Sequence, residues 1–272
     1  MSEELTPAPL PSDDFKVSVS KTKTFNQCRK QYEFNYILKM PKKDRDYHIF
    51  GKFCHMVLEE FHNAYLVNNS QEAYNIEMSK AFKAALVEYK DKMTPEMKKE
   101  CWELVDKYLH IVSANKKNNL MANVIAVEKK FNFLIAENLV LNGAIDRIQI
   151  DADNVVHVAD YKTTKNKKYL KDDWFQLLTY AYVIITEDPK IKKVRASYIL
   201  LRHDFEYITK EFSRKDILVI KEKYEEYAKQ MQEEREFAPT TSFLCNYCDF
   251  LEMCPAGKSK ALNQNTYGEV SW

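Results

Sequence analysis

Gly143-Ala144-Ile145-Asp146-Arg147-Ile148 and, past a short polar turn, Val158-Ala159-Asp160-Tyr161-Lys162-Thr163-Thr164-Lys165 form the stretch that decides the fold. Both halves have the apolar and β-branched composition of strands, yet they carry two carboxylates and a lysine that a plain strand does not select. The turn falls at Ala152-Asp153-Asn154. With a three-residue loop, Asp151 pairs with Val155, and counting back sets Asp146 opposite Asp160. Asn154 at the last loop position can take the left-handed conformation such loops need. Lys162, two residues past Asp160, shares its face, because strand side chains alternate. The same alternation sends Arg147 to the opposite face, which points to a core or structural role. Two carboxylates opposed across a hairpin repel each other, so the arrangement implies a cation. The plain alternative is a solvated face with ordinary charges.

The rest of the chain supports a folded protein. Its 272 residues can bury a sizeable core, and 45% apolar, 30% charged and 13% aromatic residues are the composition of a globular chain. Of only four glycines, Gly51 and Gly143 fall inside motifs, which suggests that close backbone approach matters at both. A net charge of +1 exerts no global pull on nucleic acid, so such a partner must be held by local patches. No run of roughly 18 apolar residues exists, so no membrane span is expected. The acidic, Pro-rich start has no apolar segment of a secretory signal, and a cytoplasmic location follows as the expectation. In that reducing compartment six cysteines need an explanation other than disulfides.

The order of elements predicts an α/β chain. Residues 1–15 read as a disordered leader. Residues 16–120 form a helical N-terminal region: one helix over 21–38 capped by Ser20, another over 48–67, and two more near 71–91 and 95–114. Residues 121–238 form the core. Three consecutive strands, over 122–136 and then the hairpin from 139 to 162, suggest an antiparallel meander. A helix from Asp172-Asp173-Trp174 to about 186 follows, then a strand over 194–201 extended by Phe205 to Ile208, and a charged helix over 213–236. Residues 239–258 are a cysteine loop and 259–272 a polar tail.

Four groups of residues carry chemistry. Asp146 and Asp160 suit a hard divalent cation, magnesium or manganese, which can activate water and neutralise charge on a phosphodiester. Lys162 could stabilise the same charge or orient the water. Gly51, His55 and Glu59 lie at successive i, i+4 positions on one helix face. Cys245-x2-Cys248-x5-Cys254 supplies three thiolates in one loop and Cys28 a fourth, a set that binds either tetrahedral zinc or an iron–sulfur cluster. Cys54 and Cys101 are left over as buried thiols. Lys162, Lys165, Lys167, Lys168 and Lys171, with Tyr169 and Trp174 interleaved, suit a phosphate backbone with stacked bases, or else a solvated loop. Lys21, Lys23, Arg29 and Lys30 form a second candidate patch.

Asp146-x13-Asp160-x-Lys162 resembles the acid–acid–lysine signature of the PD-(D/E)XK nuclease superfamily, with Asp in place of Glu in the second element. Gly51-x3-His55-x3-Glu59 is similar to the histidine helix of its RecB-like branch, and Gln176-x3-Tyr180 to that branch's motif for the DNA backbone. One cysteine before the core and three after it resemble the AddB nuclease domain and the CRISPR-associated adaptation nucleases, where a 4Fe–4S cluster joins the two ends. The resemblance covers most of residues 20 to 256. It implies a restriction-endonuclease-like core with iron–sulfur-stapled termini. It also implies His55, Asp146, Asp160 and the Tyr161 carbonyl as ligands of Mg2+ or Mn2+, Lys162 as the catalytic lysine, and Cys28, Cys245, Cys248 and Cys254 as cluster ligands. Glu128 resembles the acid preceding the paired strands, although it could equally pair with Lys129 or Lys130 at the surface.

The expected activity is that of a DNA exonuclease acting on single strands or ends, in recombination, repair or CRISPR adaptation in a bacterial, archaeal or phage-infected cell. Gln176, Tyr180, Lys165, Lys167 and Lys168 are its expected DNA contacts. No helicase motor motif is present, so duplex ends call for a helicase or integrase-type protein partner; homo-oligomerisation stays open. The competing readings are a DNA-end-binding or assembly subunit that does not cut, and a zinc-stabilised binding protein.

Overall fold

The computed structural model describes residues 14–68, 74–114, 123–170 and 173–257. The chain begins with β1 (Phe15–Val17), α1 (Val19–Gln27), α2 (Arg29–Tyr32) and a π-helical turn over Glu33–Ile37. Three long helices follow: α3 (Asp46–Asn68), α4 (Tyr74–Glu88) and α5 (Pro95–Ala114). The strands β2 (Val124–Ala136), β3 (Leu139–Ile150) and β4 (Val156–Lys162) come next. After them come α6 (Phe175–Glu187), β5 (Lys193–Leu200), β6 (Glu206–Ser213) and α7 (Arg214–Glu233).

The strands form one mixed sheet organised on β3. β2 lies antiparallel along one edge of β3, from Val124↔Gln149 to Ala136↔Leu139. The other edge is shared. β1 pairs parallel with Leu139, Val140 and Leu141, and β4 pairs antiparallel with β3 from Arg147↔Ala159 to Ile150↔Val156. Among the described residues, 142–146 have no strand on that edge, and this opening lies beside Asp146. β4 and β5 run parallel, joined through α6, and β6 closes the sheet antiparallel to β5. Helices α1, α2, α6 and α7 cover one face, where Phe25, Tyr32, Leu177, Tyr198 and Tyr224 are buried. α3, α4 and α5 cover the other, with Phe50, Phe53, Val57, Phe61 and Tyr108 packed on Ala159, Tyr161 and Ile199. No helix of the described residues is long and apolar enough to cross a membrane.

The hairpin has the expected three-residue loop. Asp151 N–H donates to Val155 O at 3.0 Å, Asn154 N–H donates to Asp151 O at 2.8 Å, and Asn154 has φ 59°. The β3–β4 register runs to Arg147↔Ala159, so Asp146 and Asp160 lie just past its last pair. The loop is anchored through Asp151, which accepts from Gln149 Nε2 at 2.6 Å, lies 3.1 Å from His157 Nδ1 and ion-pairs with Arg195. Burial raises its pKa, but these partners outweigh burial and hold the carboxyl below the ordinary carboxylate range. A group depressed in the folded state stabilises above its unfolded pKa, near 3.9, and that stabilisation is lost as pH falls through the folded pKa. Asp151→Asn is therefore expected to cost about 1–3 kcal/mol at pH 7. The difference should narrow steadily below about pH 4, measured by urea unfolding at several pH values.

Four local expectations are corrected. The first helix is capped by Ser18, whose hydroxyl accepts from Lys21 N–H, not by Ser20. It does not run unbroken to 38. Cys28 is extended, at φ −162° and ψ 116°, and separates α1 from α2. Phe15, assigned to the leader, starts β1 and donates its N–H to Asn138 O at 2.8 Å. The helix after the hairpin starts at Phe175; Asp172 lies outside the described residues, as do 1–13 of the leader and 259–272 of the tail.

Both motif glycines stand at close approaches. A Cβ on Gly51 would lie 3.2 Å from Thr163 Oγ1, and one on Gly143 would lie 2.6 Å from Phe131 Cζ. Phe131 is the direct cross-strand partner of Gly143, and its ring is buried against Tyr180. Gly143→Ala is expected to displace that ring and cost about 1–3 kcal/mol in urea unfolding, as overpacking does.

Candidate active site

The opening in the sheet creates the site. Past Ala159, β4 leaves β3, so Tyr161 N–H has no ladder carbonyl and donates instead to Asp146 Oδ2 at 2.8 Å. The same oxygen lies 3.3 Å from His55 Nδ1. On the other side of the ring, His55 Nε2 is 2.9 Å from the Tyr161 carbonyl oxygen, to which it donates. The two backbone groups of one residue, Tyr161, thus hold both the aspartate and the histidine.

Glu128 completes this group. It sits in mid-strand with φ 43°, a left-handed conformation that costs about 1–3 kcal/mol in a residue other than glycine. Val127↔Arg147 and Lys129↔Ile145 pair on either side of it, while Glu128 and Asp146 drop out of the ladder. Of its two lysine neighbours, Lys129 ion-pairs with Glu187 instead. Ligand atoms of His55, Glu128 and Asp146 all lie within 4.8 Å of one another. His55 and Glu128 line an open cleft of about 540 Å³ together with Gly51 and Glu59, so the face predicted for α3 does converge on one place.

Asp160 stands beside this group but outside it. Its Oδ2 is 2.5 Å from Lys162 Nζ, and its Oδ1 accepts from Gln176 Nε2 at 2.6 Å and from Tyr180 Oη at 3.3 Å. Lys162 also donates to Gln176 Oε1 at 3.1 Å and lies 5.2 Å from the centre of the Tyr198 ring. Tyr180 is 5% exposed, so its hydroxyl serves Asp160 and not the surface. Burial, and next the charge of Asp160, push the Asp146 carboxyl well above the ordinary range, while burial pushes His55 down. Carboxylates this close and this deep do not both ionise comfortably without a cation. A set of carboxylate oxygens, one imidazole nitrogen and a backbone carbonyl fits a hard divalent ion.

The lysines divide. Lys165 and Lys168 are exposed, whereas Lys167 ion-pairs with Glu206 at 2.6 Å. Lys171 and the Tyr169 side chain lie outside the described residues, and Trp174 packs on Phe212. The second patch is engaged within the protein: Lys23 with Asp173, Lys30 with Glu33, Arg29 with Glu234, and Lys21 with the Lys16 carbonyl.

Cys28, Cys245, Cys248 and Cys254 line a single cavity with Phe34, Leu244 and Leu251. Cys28 Sγ accepts from Thr240 N–H and Cys245 Sγ from Ser242 N–H, both at 3.4 Å. Cys54 and Cys101 are fully buried, as expected.

Residues without a sequence signal also support the site. Arg202 forms an ion pair with Glu100 of α5, donates to the Thr163 carbonyl at 2.6 Å and lies over Phe50 of α3. It fastens the end of β4 to the helices that carry His55.

A mixed sheet that parts beside two aspartates, with a lysine two residues beyond the second, is an arrangement suited to metal-assisted hydrolysis of a phosphodiester. The sequence profile of the PD-(D/E)XK nuclease superfamily matches residues 16–255, and the chain belongs to that superfamily. Among solved structures it is similar to a candidate exonuclease from Eubacterium rectale, at 10% identity and TM-score 0.52 over 100% of this chain and 97% of that one. It is also similar to SSO0001, at 13% identity and TM-score 0.44 over 92% and 89%. At these identities the likeness concerns the fold. No curated protein matches the sequence.

Proposed function

We propose that the protein is a RecB-like, iron–sulfur-containing DNA exonuclease that hydrolyses phosphodiesters in single strands or at DNA ends, in recombination, repair or CRISPR adaptation. The observation that carries the reading is the convergence of His55, Glu128 and Asp146 within 4.8 Å, next to the Asp160–Lys162 pair. His55, Asp146, Asp160 and the Tyr161 carbonyl would hold magnesium or manganese, with Glu128 as a further oxygen donor. Such an ion supplies charge that activates water and offsets the negative charge developing on the phosphodiester. Lys162 orients the attacking water and adds its own positive charge. Gln176 and Tyr180 fix Asp160, Gln176 also reaches Lys162, and the exposed Lys165 and Lys168 would meet phosphates. The name of the Eubacterium rectale relative agrees with exonuclease action.

The cysteine quartet is assigned to a 4Fe–4S cluster. The support is that Cys28, from before the core, and Cys245, Cys248 and Cys254, from after it, line one cavity.

The test is anaerobic purification followed by incubation with end-labelled linear and closed circular DNA, single- and double-stranded, with Mn2+ or Mg2+. Linear DNA shortened from its ends while circles survive is the expected result. Equal loss of circles would identify an endonuclease. No cutting with either metal would make the protein an end-binding subunit.

A further inference from the structure

Arg147 follows the aspartate of the site and points away from it. It is 0% exposed. Among the described residues it has no ion pair with a carboxylate, and three tyrosine hydroxyls take its place. Nη1 donates to Tyr108 Oη at 3.2 Å and to Tyr161 Oη at 3.1 Å, and Nη2 donates to Tyr207 Oη at 2.9 Å. The guanidinium carbon lies 5.5 Å from the centre of the Tyr161 ring. The hydroxyls are themselves held: Tyr108 is 2.9 Å and Tyr161 3.3 Å from Nε2 of the buried His62. Through these bonds α5, β6 and α3 all grip Tyr161.

Packing alone does not ask for this. A buried guanidinium without an anionic partner is costly, and an apolar side chain of similar length fills such a place at least as well. What the cluster controls is the Tyr161 backbone, whose N–H binds Asp146 and whose carbonyl binds His55. We infer that Arg147 is a positioning residue of the metal site. It acts from the opposite face of the sheet by fixing the Tyr161 side chain, and so the backbone groups that orient Asp146 and His55. This inference rests on the metal site proposed above. Groups that orient ligands in this way commonly change metal affinity by about 10- to 100-fold when removed.

The test is Mn2+ affinity of the full-length protein, measured by calorimetric titration beside thermal unfolding. Asp146→Asn is the control and must weaken Mn2+ binding; if it does not, the metal site itself is misassigned and the inference falls with it. With that control in place, Arg147→Met is expected to keep or raise the melting temperature while weakening Mn2+ binding about tenfold. Arg147→Lys, with a cation but fewer donors, should recover part of that loss. Tyr161→Phe keeps the ring and the peptide but removes the contact, and should weaken Mn2+ by a smaller factor. It also decides the matter if Arg147→Met does not fold. Wild-type affinity in Arg147→Met or in Tyr161→Phe would overturn the inference, as would an affinity loss in Arg147→Met that the lysine variant does not recover at all.

Discussion

Lys162→Ala is expected to slow DNA hydrolysis by about 10³-fold, the scale on which a charged group serving the transition state acts. Mn2+ binding should stay as tight or become tighter. The reason for that combination is electrostatic. Lys162 Nζ is 2.5 Å from Asp160 Oδ2, so the ammonium competes with any cation for this carboxylate, and its removal favours the metal. The fold should survive, because Asp160 keeps Gln176 and Tyr180 and the Lys162 backbone still pairs with Leu200. A lysine that only neutralised Asp160 would give the opposite pattern: lower melting temperature in metal-free buffer, rescue by Mn2+, and cleavage restored with it. Asp160→Ala, by contrast, should lose cleavage and weaken Mn2+ together. Initial rates on end-labelled single-stranded DNA, with Mn2+ titrations, separate the cases. Cleavage within tenfold of wild type in Lys162→Ala would remove the lysine from the mechanism.

The parts of this site that could be read from residues alone are those fixed by local geometry. A three-residue loop with Asn154 at its left-handed position determines the β3–β4 register, which leaves Asp146 and Asp160 just past its last pair, at the opening of the sheet. Helical spacing likewise puts Gly51, His55 and Glu59 on one face of α3. Long-range or strained features were not legible. Glu128 was signalled only by the family resemblance, and the positive φ at this position is one that no composition encodes, since glutamate has no preference for it. Arg147 could be sent to the far face by alternation, but its three hydroxyl partners come from elements 39, 14 and 60 residues away. The helix break at Cys28 was hidden because Phe25, Cys28 and Tyr32 keep helical spacing across it. Phe25 and Tyr32 do pack together, with ring centres 4.9 Å apart, although the backbone between them is extended. That extended residue is also what frees Cys28 to line the cavity of the other three cysteines.

Cys248→Ala should give a colourless protein with iron and labile sulfide near zero. Its melting temperature should fall by roughly 5–15 °C, as expected for losing a cross-link worth about 2–5 kcal/mol in a chain of this size. The size of the effect follows from topology. Cys28 and Cys245 are separated by more than two hundred residues, and a group holding both restricts the unfolded chain across nearly the whole core. The protein's own contacts between these segments include Arg45 with Asp249 at 3.2 Å and with the Cys248 carbonyl at 3.3 Å, Lys43 with Glu252 at 2.6 Å, Arg29 with Glu234 at 3.6 Å, and the rings of Phe34 and Phe250 with centres 5.1 Å apart. The exposed Lys43–Glu252 pair contributes about 0–1 kcal/mol, and none of these contacts is a covalent link between the two segments. Burial raises the Cys248 thiol, which therefore stays protonated and apolar unless a metal takes its proton. The active site lies elsewhere, on α3, β2, β3 and β4. At a temperature where the variant remains folded, cleavage should persist at a rate near wild type, which separates a structural cluster from a catalytic one. Zinc in place of iron in the wild-type protein would overturn the cluster assignment, and so would an unchanged iron content in Cys248→Ala.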